Sequence, residues 1–117
     1  MNGHELHVET ADGLLVARLA GEIDLANADV VRSGLARAAS NDIVGAVIDL
    51  SKATYMDSAG INVLFQVRER LRVRGQELRL VVPPGSGAHD ALRYAGVLDA
   101  LAVSESVDAA LAALRQV

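Results

Sequence analysis

Cysteine is absent from this chain, which removes disulfides, thiolate metal sites and cysteine nucleophiles together. Tryptophan is absent too, and the only aromatic side chains are Tyr55, Phe65 and Tyr94, too few for a surface on which bases stack. Lysine occurs once, at Lys52, and the formal net charge is −4. Non-specific nucleic-acid binding runs on Lys and Arg, so no direct nucleic-acid partner is expected. The three histidines, His4, His7 and His89, give no basis for a metal site. No apolar run approaches the ~18 residues of a membrane span. Glu5, Glu9 and Asp12 stand where a secretory signal would be basic. The expectation is a soluble, cytoplasmic protein with no membrane insertion. What is present is ordinary globular composition: 117 residues, 51% hydrophobic and 22% charged. A single domain over 1–117 of this size buries about two-thirds of its unfolded surface and needs no covalent staple.

Leu6-His7-Val8-Glu9-Thr10 alternates apolar and polar, as a half-exposed strand does. Asp12-Gly13 is a hairpin signal, so Leu14–Ala20 reads as an antiparallel neighbour. Gly21-Glu22-Ile23-Asp24 breaks that run, and Asp24 reads as the N-cap of a helix with Ala28, Val31, Leu35 and Ala38 on its inner face. Ala46–Leu50 is a short, β-branched run typical of a central strand buried on both faces. A connector over 51–57 leads into a helix with Gly60, Leu64, Val67 and Leu71 in one stripe, ending at Gly75. Leu78–Val82 reads as a strand, Ala88–Ala95 as a short helix and Leu101–Val103 as a last strand. Ser104 reads as the cap of a final helix with Val107, Leu111 and Leu114 inside. The order β-β-α-β-α-β-α-β-α demands an α/β domain with a mixed, mostly parallel five-stranded sheet and four helices.

Asp57 and Ser58 fall in the turn between the central strand and a helix start. In open α/β sheets ligands bind outside the carboxyl ends of strands, and a helix start favours an anion. A serine here is either an N-cap or a residue whose phosphorylated form is well tolerated; local features alone favour the cap. Three enzymatic readings fail. Ser58-Ala59-Gly60 matches half of a nucleophile elbow, but Met56 stands at the first glycine position and His89 is the only base beyond the first strand. Gly85-Ser86-Gly87 lacks the third glycine of a dinucleotide turn, with Asp90 in its place, and follows the fourth strand rather than the first. A phosphoacceptor Asp49 or Asp57 of a receiver-like domain lacks its acidic cluster and its distal lysine. Arg68, Arg70, Arg72 and Arg74 alternate by about 200° around a helix and so form no single basic face.

The strand Val47-Ile48-Asp49-Leu50-Ser51 followed by Tyr55-Met56-Asp57-Ser58-Ala59-Gly60-Ile61 closely resembles the signature of STAS domains, specifically of stand-alone bacterial anti-sigma factor antagonists. Gly21-Glu22-Ile23-Asp24 with Asn27-Ala28, and the tail from Gly96-Val97 onward, are similar to the same family. The resemblance spans nearly the whole chain and outweighs the local cap reading. It implies a STAS-like domain with no catalytic residue, cofactor or metal. It implies binding to an anti-sigma factor that is also a serine kinase of the GHKL type, phosphorylation of Ser58 by that kinase, and reversal by a metal-dependent serine phosphatase. Asp57 would orient Ser58, and Asp24 would lie beside it. Met56, Ala59, Gly60, Ile61, Asn62 and Val63 would complete the binding patch. Three residues depart from the usual family pattern: Tyr55 for Phe, Ala59 for a second serine, and Asn62 for Gly. Weak nucleotide binding is sometimes attributed to the family, and nothing in this sequence supports it. The competing implication is a STAS subunit serving an ABC-type transporter or a stressosome-like assembly, with no sigma factor involved.

Overall fold

The computed structural model describes residues 3–116. A hairpin opens the chain, β1 (His4–Ala11) and β2 (Leu14–Ile23), turning through Asp12 and Gly13, both at positive φ (55° and 77°) as a tight primed turn requires. Helix α1 (Ala28–Ala38), β3 (Gly45–Met56), α2 (Ser58–Val73), β4 (Glu77–Val81), α3 (Gly87–Tyr94), β5 (Val103–Ser104) and α4 (Val107–Arg115) follow, with one 3-10 turn at Leu98–Ala100. The strands lie in chain order β1-β2-β3-β4-β5; β1 is antiparallel to β2, and the other three pairs are parallel. The mixed sheet read from the sequence is the one observed.

The strand alternation sorts the core into two layers. Leu15, Ala17, Leu19 and Ile23 of β2, with Ala46, Ile48 and Leu50 of β3, face Val31 and Leu35 of α1 and Leu64, Val67 and Leu71 of α2. The opposite residues Leu14, Val16, Val47 and Val81 pack against Ala110 and Leu114 of α4. β3 is therefore buried on both faces along its first half, which explains its continuous apolar run.

Several element boundaries differ from the sequence reading, the last strand among them, which is Val103–Ser104 rather than Leu101–Val103. β2 does not stop at Ala20 but continues to Ile23, its register against β3 slipping between Arg18 and Ala20 and again between Gly21 and Glu22. Gly21 takes φ 90° between the two slips, and a Cβ there would also stand 2.2 Å from the Gly3 carbonyl oxygen. β3 likewise continues through 51–56, where a connector was expected, because β2 goes on pairing with it as far as Met56 after β4 has ended opposite Asp49. Helix α1 begins after Asn27, not Asp24. The last helix is capped by Ser106, whose hydroxyl accepts from the Ala109 amide at 3.1 Å, while Ser104 lies in β5.

Candidate functional site

Because β2 and β3 are parallel and end with Ile23 opposite Met56, the segments leaving them emerge together at the carboxyl edge of the sheet. The Asp57 amide donates to the Ile23 carbonyl at 3.3 Å, closing this corner. Asp57 then leaves the strand in extended conformation and becomes the N-cap of α2. Its Oδ1 accepts from the Gly60 amide at 3.0 Å, and its Oδ2 accepts from the Leu25 amide at 3.1 Å. One carboxylate thus satisfies a helix-start donor and ties the β2–α1 loop to α2.

The loop is braced from within. Asp24 Oδ1 accepts from the Ala26 amide at 3.0 Å, an Asx turn. The buried Asn27 accepts from the Asp24 amide at 3.0 Å and donates to the Glu22 carbonyl at 2.8 Å. Its side chain is spent on the loop, so α1 has no side-chain cap. This is the physical reason Asp24 does not start the helix: its carboxylate turns the chain instead.

Ser58 is the first residue of α2 and is exposed. Asp57 holds the capping position, so the local reading of Ser58 as the cap is corrected. Among the hydrogen bonds of the described residues, none involves the Ser58 hydroxyl. The rest of the expected patch divides. Asn62 is exposed, and Asp24, Asp57 and Ala59 are half-buried. Gly60 and Val63 are buried, and Met56 and Ile61, also buried, line the groove described below. A Cβ on Gly60 would stand 2.4 Å from the Ile23 carbonyl oxygen, so the glycine lets α2 start directly on the end of β2.

Sequence reasoning missed the neighbours. Leu25, 80% exposed, stands on the loop that Asp57 holds. Helix α3 lies tight against the end of β3, since a Cβ on Gly87 would be 2.3 Å from the Thr54 carbonyl oxygen. Between α3 and the start of α2 runs a groove of about 550 Å³, with Ser58 and Tyr55 on one wall and Asp90, Ala91 and Tyr94 on the other. Tyr55 and Tyr94 are 51% and 84% exposed. The small residues Gly87, Ala91 and Ala95, four apart, line the groove on its α3 side.

Other charged groups lie apart from the site. Arg18 bridges Glu9 and Asp49 on the α4 side of the sheet, and its hydrogen bond and charge hold the Glu9 carboxyl below the usual carboxylate range. Arg68 donates to the Ala100 carbonyl, Arg72 pairs with Glu69, and Arg74 donates to the Ala39 carbonyl, each engaged separately. Among the described residues no group of three or more His, Asp or Glu could hold a metal ion, and no helix is long and apolar enough to cross a membrane.

A five-stranded mixed sheet carrying an Asp-Ser pair at the start of its second helix defines a recognised class: the STAS domain family matches residues 5–110, and the chain belongs to that family. It is 30% identical over 112 residues to BtrV of Bordetella bronchiseptica, named for an anti-sigma factor antagonist role, covering 95% of each chain. The crystal structure of an anti-sigma factor antagonist from Mycobacterium paratuberculosis superimposes with a TM-score of 0.87 at 24% identity, covering 98% of this chain and 97% of the other. The Bacillus cell-fate determinant SpoIIAA in its phosphorylated form superimposes with a TM-score of 0.69 at 17% identity, covering 95% of this chain and all (100%) of that one. Low affinity sulfate transporter 3 of Stylosanthes hamata is 31% identical over 122 residues, covering 87% of this chain but only 19% of the transporter. The likeness to BtrV runs over nearly the whole of both chains, whereas the likeness to the transporter takes in only a small part of it.

Proposed function

We propose that this protein is an anti-sigma factor antagonist acting by partner switching: unphosphorylated, it binds an anti-sigma factor that is also a GHKL-type serine kinase, and phosphorylation of Ser58 ends the binding. A metal-dependent serine phosphatase restores the binding form. The protein acts in the cytoplasm, by association rather than catalysis. The observation that carries this reading is the exposed Ser58 at the first position of α2, with its neighbour Asp57 in the capping position.

The physics supports a switch at that position. A phosphate adds about 1.5 to 2 negative charges. A helix start tolerates that charge in the free protein through its amides and dipole. Pressed against a partner, the same charge must be desolvated or repelled, so the fold survives while the interface closes. Asp57 and Asp24 act mainly by holding the loop and helix in register, since their carboxylates are engaged with backbone amides. Ser58 and Asn62 form the exposed centre of the contact surface, with Ala59 beside them.

The test is an affinity capture from native lysate with wild type and Ser58→Asp side by side, read by mass spectrometry. A GHKL-type kinase held by wild type and lost by Ser58→Asp is the expected result. The likeness to a sulfate transporter favours one second reading, a regulatory STAS subunit of a transport or stressosome-like complex. Transport proteins held equally by both baits would establish that reading and reject the first.

A further inference from the structure

The sheet ends on one side in a long strand with few of the usual guards of a free edge. β1 is outermost, and its eight residues pair with β2 in unbroken register from His4↔Gly21 to Ala11↔Leu14. It contains no proline, lysine or bulge, devices that commonly keep edges from pairing. The opposite edge, β5, is only two residues long. The two-residue turn at Asp12-Gly13 makes Ala11–Leu14 a closing pair that exchanges both of its hydrogen bonds. Counting back from it, Leu6, Val8 and Thr10 direct their N–H and C=O away from β2, and among the described residues no strand lies there to receive them. Apolar surface follows the same border. Val8 is 43% exposed, Leu6 packs against α1 at Gly34, and Val30, 62% exposed, lies one turn before Gly34 on that helix.

We infer that β1 is a self-pairing edge: two copies of this chain join β1 to β1, antiparallel about Val8, into one continuous sheet. The inference stands apart from the proposed switch at Ser58. Backbone geometry selects a second copy as the occupant. The mate of β1 must offer a free edge of like length, and β5 is too short for that, so head-to-tail growth is closed off and the isologous β1–β1 contact remains. Parity and charge then fix the register. Facing residues of an antiparallel pair share one face of the sheet, so the two-fold axis must fall on a residue. With the axis on Val8, the two Val8 residues exchange both bonds and Leu6 meets Thr10 of the second copy, which uses the outward groups of all three. His7 then faces Glu9 of the second copy, and Glu5 faces Ala11. With the axis on His7, Glu5 would face Glu9, a like-charge pair. With the axis on Leu6, only residues 4–8 of the strand would overlap. β2 stands between β1 and β3, so the dimer leaves Ser58 open in both copies.

The experiment is analytical ultracentrifugation of the full chain over a concentration series, alongside Val8→Pro and Val8→Lys. Proline at this position removes an N–H that faces away from β2, so the hairpin keeps its ladder while the outer pairing loses its centre. Matching circular dichroism spectra check the fold, and Val8→Lys stands in should the proline variant unfold. Expected are a wild-type dimer and a dissociation constant raised roughly tenfold or more by each folded variant. The register is read by mild oxidation, since the chain has no cysteine of its own. Val8→Cys should cross-link, its Cα atoms falling about 5.5 Å apart, within disulfide range. Thr10→Cys, about 14 Å from its counterpart, should not. Four results would each overturn the inference: a wild type that stays monomeric up to its highest soluble concentration, larger open assemblies, a dimer indifferent to the folded variants, or Val8→Cys cross-linking no faster than Thr10→Cys.

Discussion

At the residue scale, the Asp-Ser pair divides labour in a way its spelling conceals. Either residue is chemically able to cap a helix, and only the backbone decides which one does. Asp57 takes the cap and the Leu25 amide together, so Asp57→Ala is expected to cost about 1–2 kcal/mol in urea unfolding. Ser58→Ala should stay within about 0.5 kcal/mol of wild type, because the hydroxyl carries no capping bond. The same denaturation series checks both; an equal loss in the two variants would mean that the serine shares the cap. Gly60 makes a sharper case. A Cβ placed 2.4 Å from a backbone oxygen cannot be relieved by a side-chain rotation. Gly60→Ala is expected to destabilise by about 1–3 kcal/mol in the same assay, whereas a helical glycine without such a contact would gain from the change.

At the element scale, the first hairpin and the end of β3 behave differently. The hairpin was legible because Asp12-Gly13 can hardly do anything else between two apolar-alternating runs. Its cross-strand pair also sets a pH dependence. Arg18 lowers the Glu9 pKa in the folded state, so the pair's contribution is present above the ordinary carboxylate range and is lost as the pH falls through the lowered value. Acidification should therefore narrow the gap in urea midpoint between wild type and Glu9→Gln; a constant gap would show that the charge is not responsible. The end of β3 was not legible. Ser51, Lys52, Thr54 and Tyr55 are exposed while Ala53 and Met56 are buried, a spacing of three that belongs to no regular strand. Two register slips against β2 accompany it, and they lie in another element, beside Gly21 at positive φ. The start of α1 failed similarly, since both Asp24 and Asn27 are good caps by type and only the folded loop shows that each is used elsewhere.

At the scale of the whole molecule, the proposed switch requires no change of shape. The sheet delivers two loops to one edge, α2 begins there, and α3 closes the side. The element order sufficed to place Ser58 at the carboxyl edge of the sheet. The groove was not foreseeable, because it exists only where α3 meets β3, a contact permitted by Gly87 against the Thr54 carbonyl. Gly60 and Val63, assigned to the contact patch from their position in the motif, lie buried for a related reason: the motif mixes surface chemistry with the packing that holds it in place. Ser58→Asp should accordingly fold as wild type by circular dichroism while binding the captured partner roughly tenfold more weakly, about 1.4 kcal/mol.

The central claim is that Ser58 is the residue on which the switch turns. The direct measurement incubates the chain with its captured kinase and Mg-ATP and maps phosphate by mass spectrometry, with Ser58→Ala in parallel. Phosphate on Ser58 of wild type, none on the variant, and release of the kinase from the phosphorylated form are the expected results. Phosphate at another residue, or a phosphorylated chain that still holds its partner, would contradict the account.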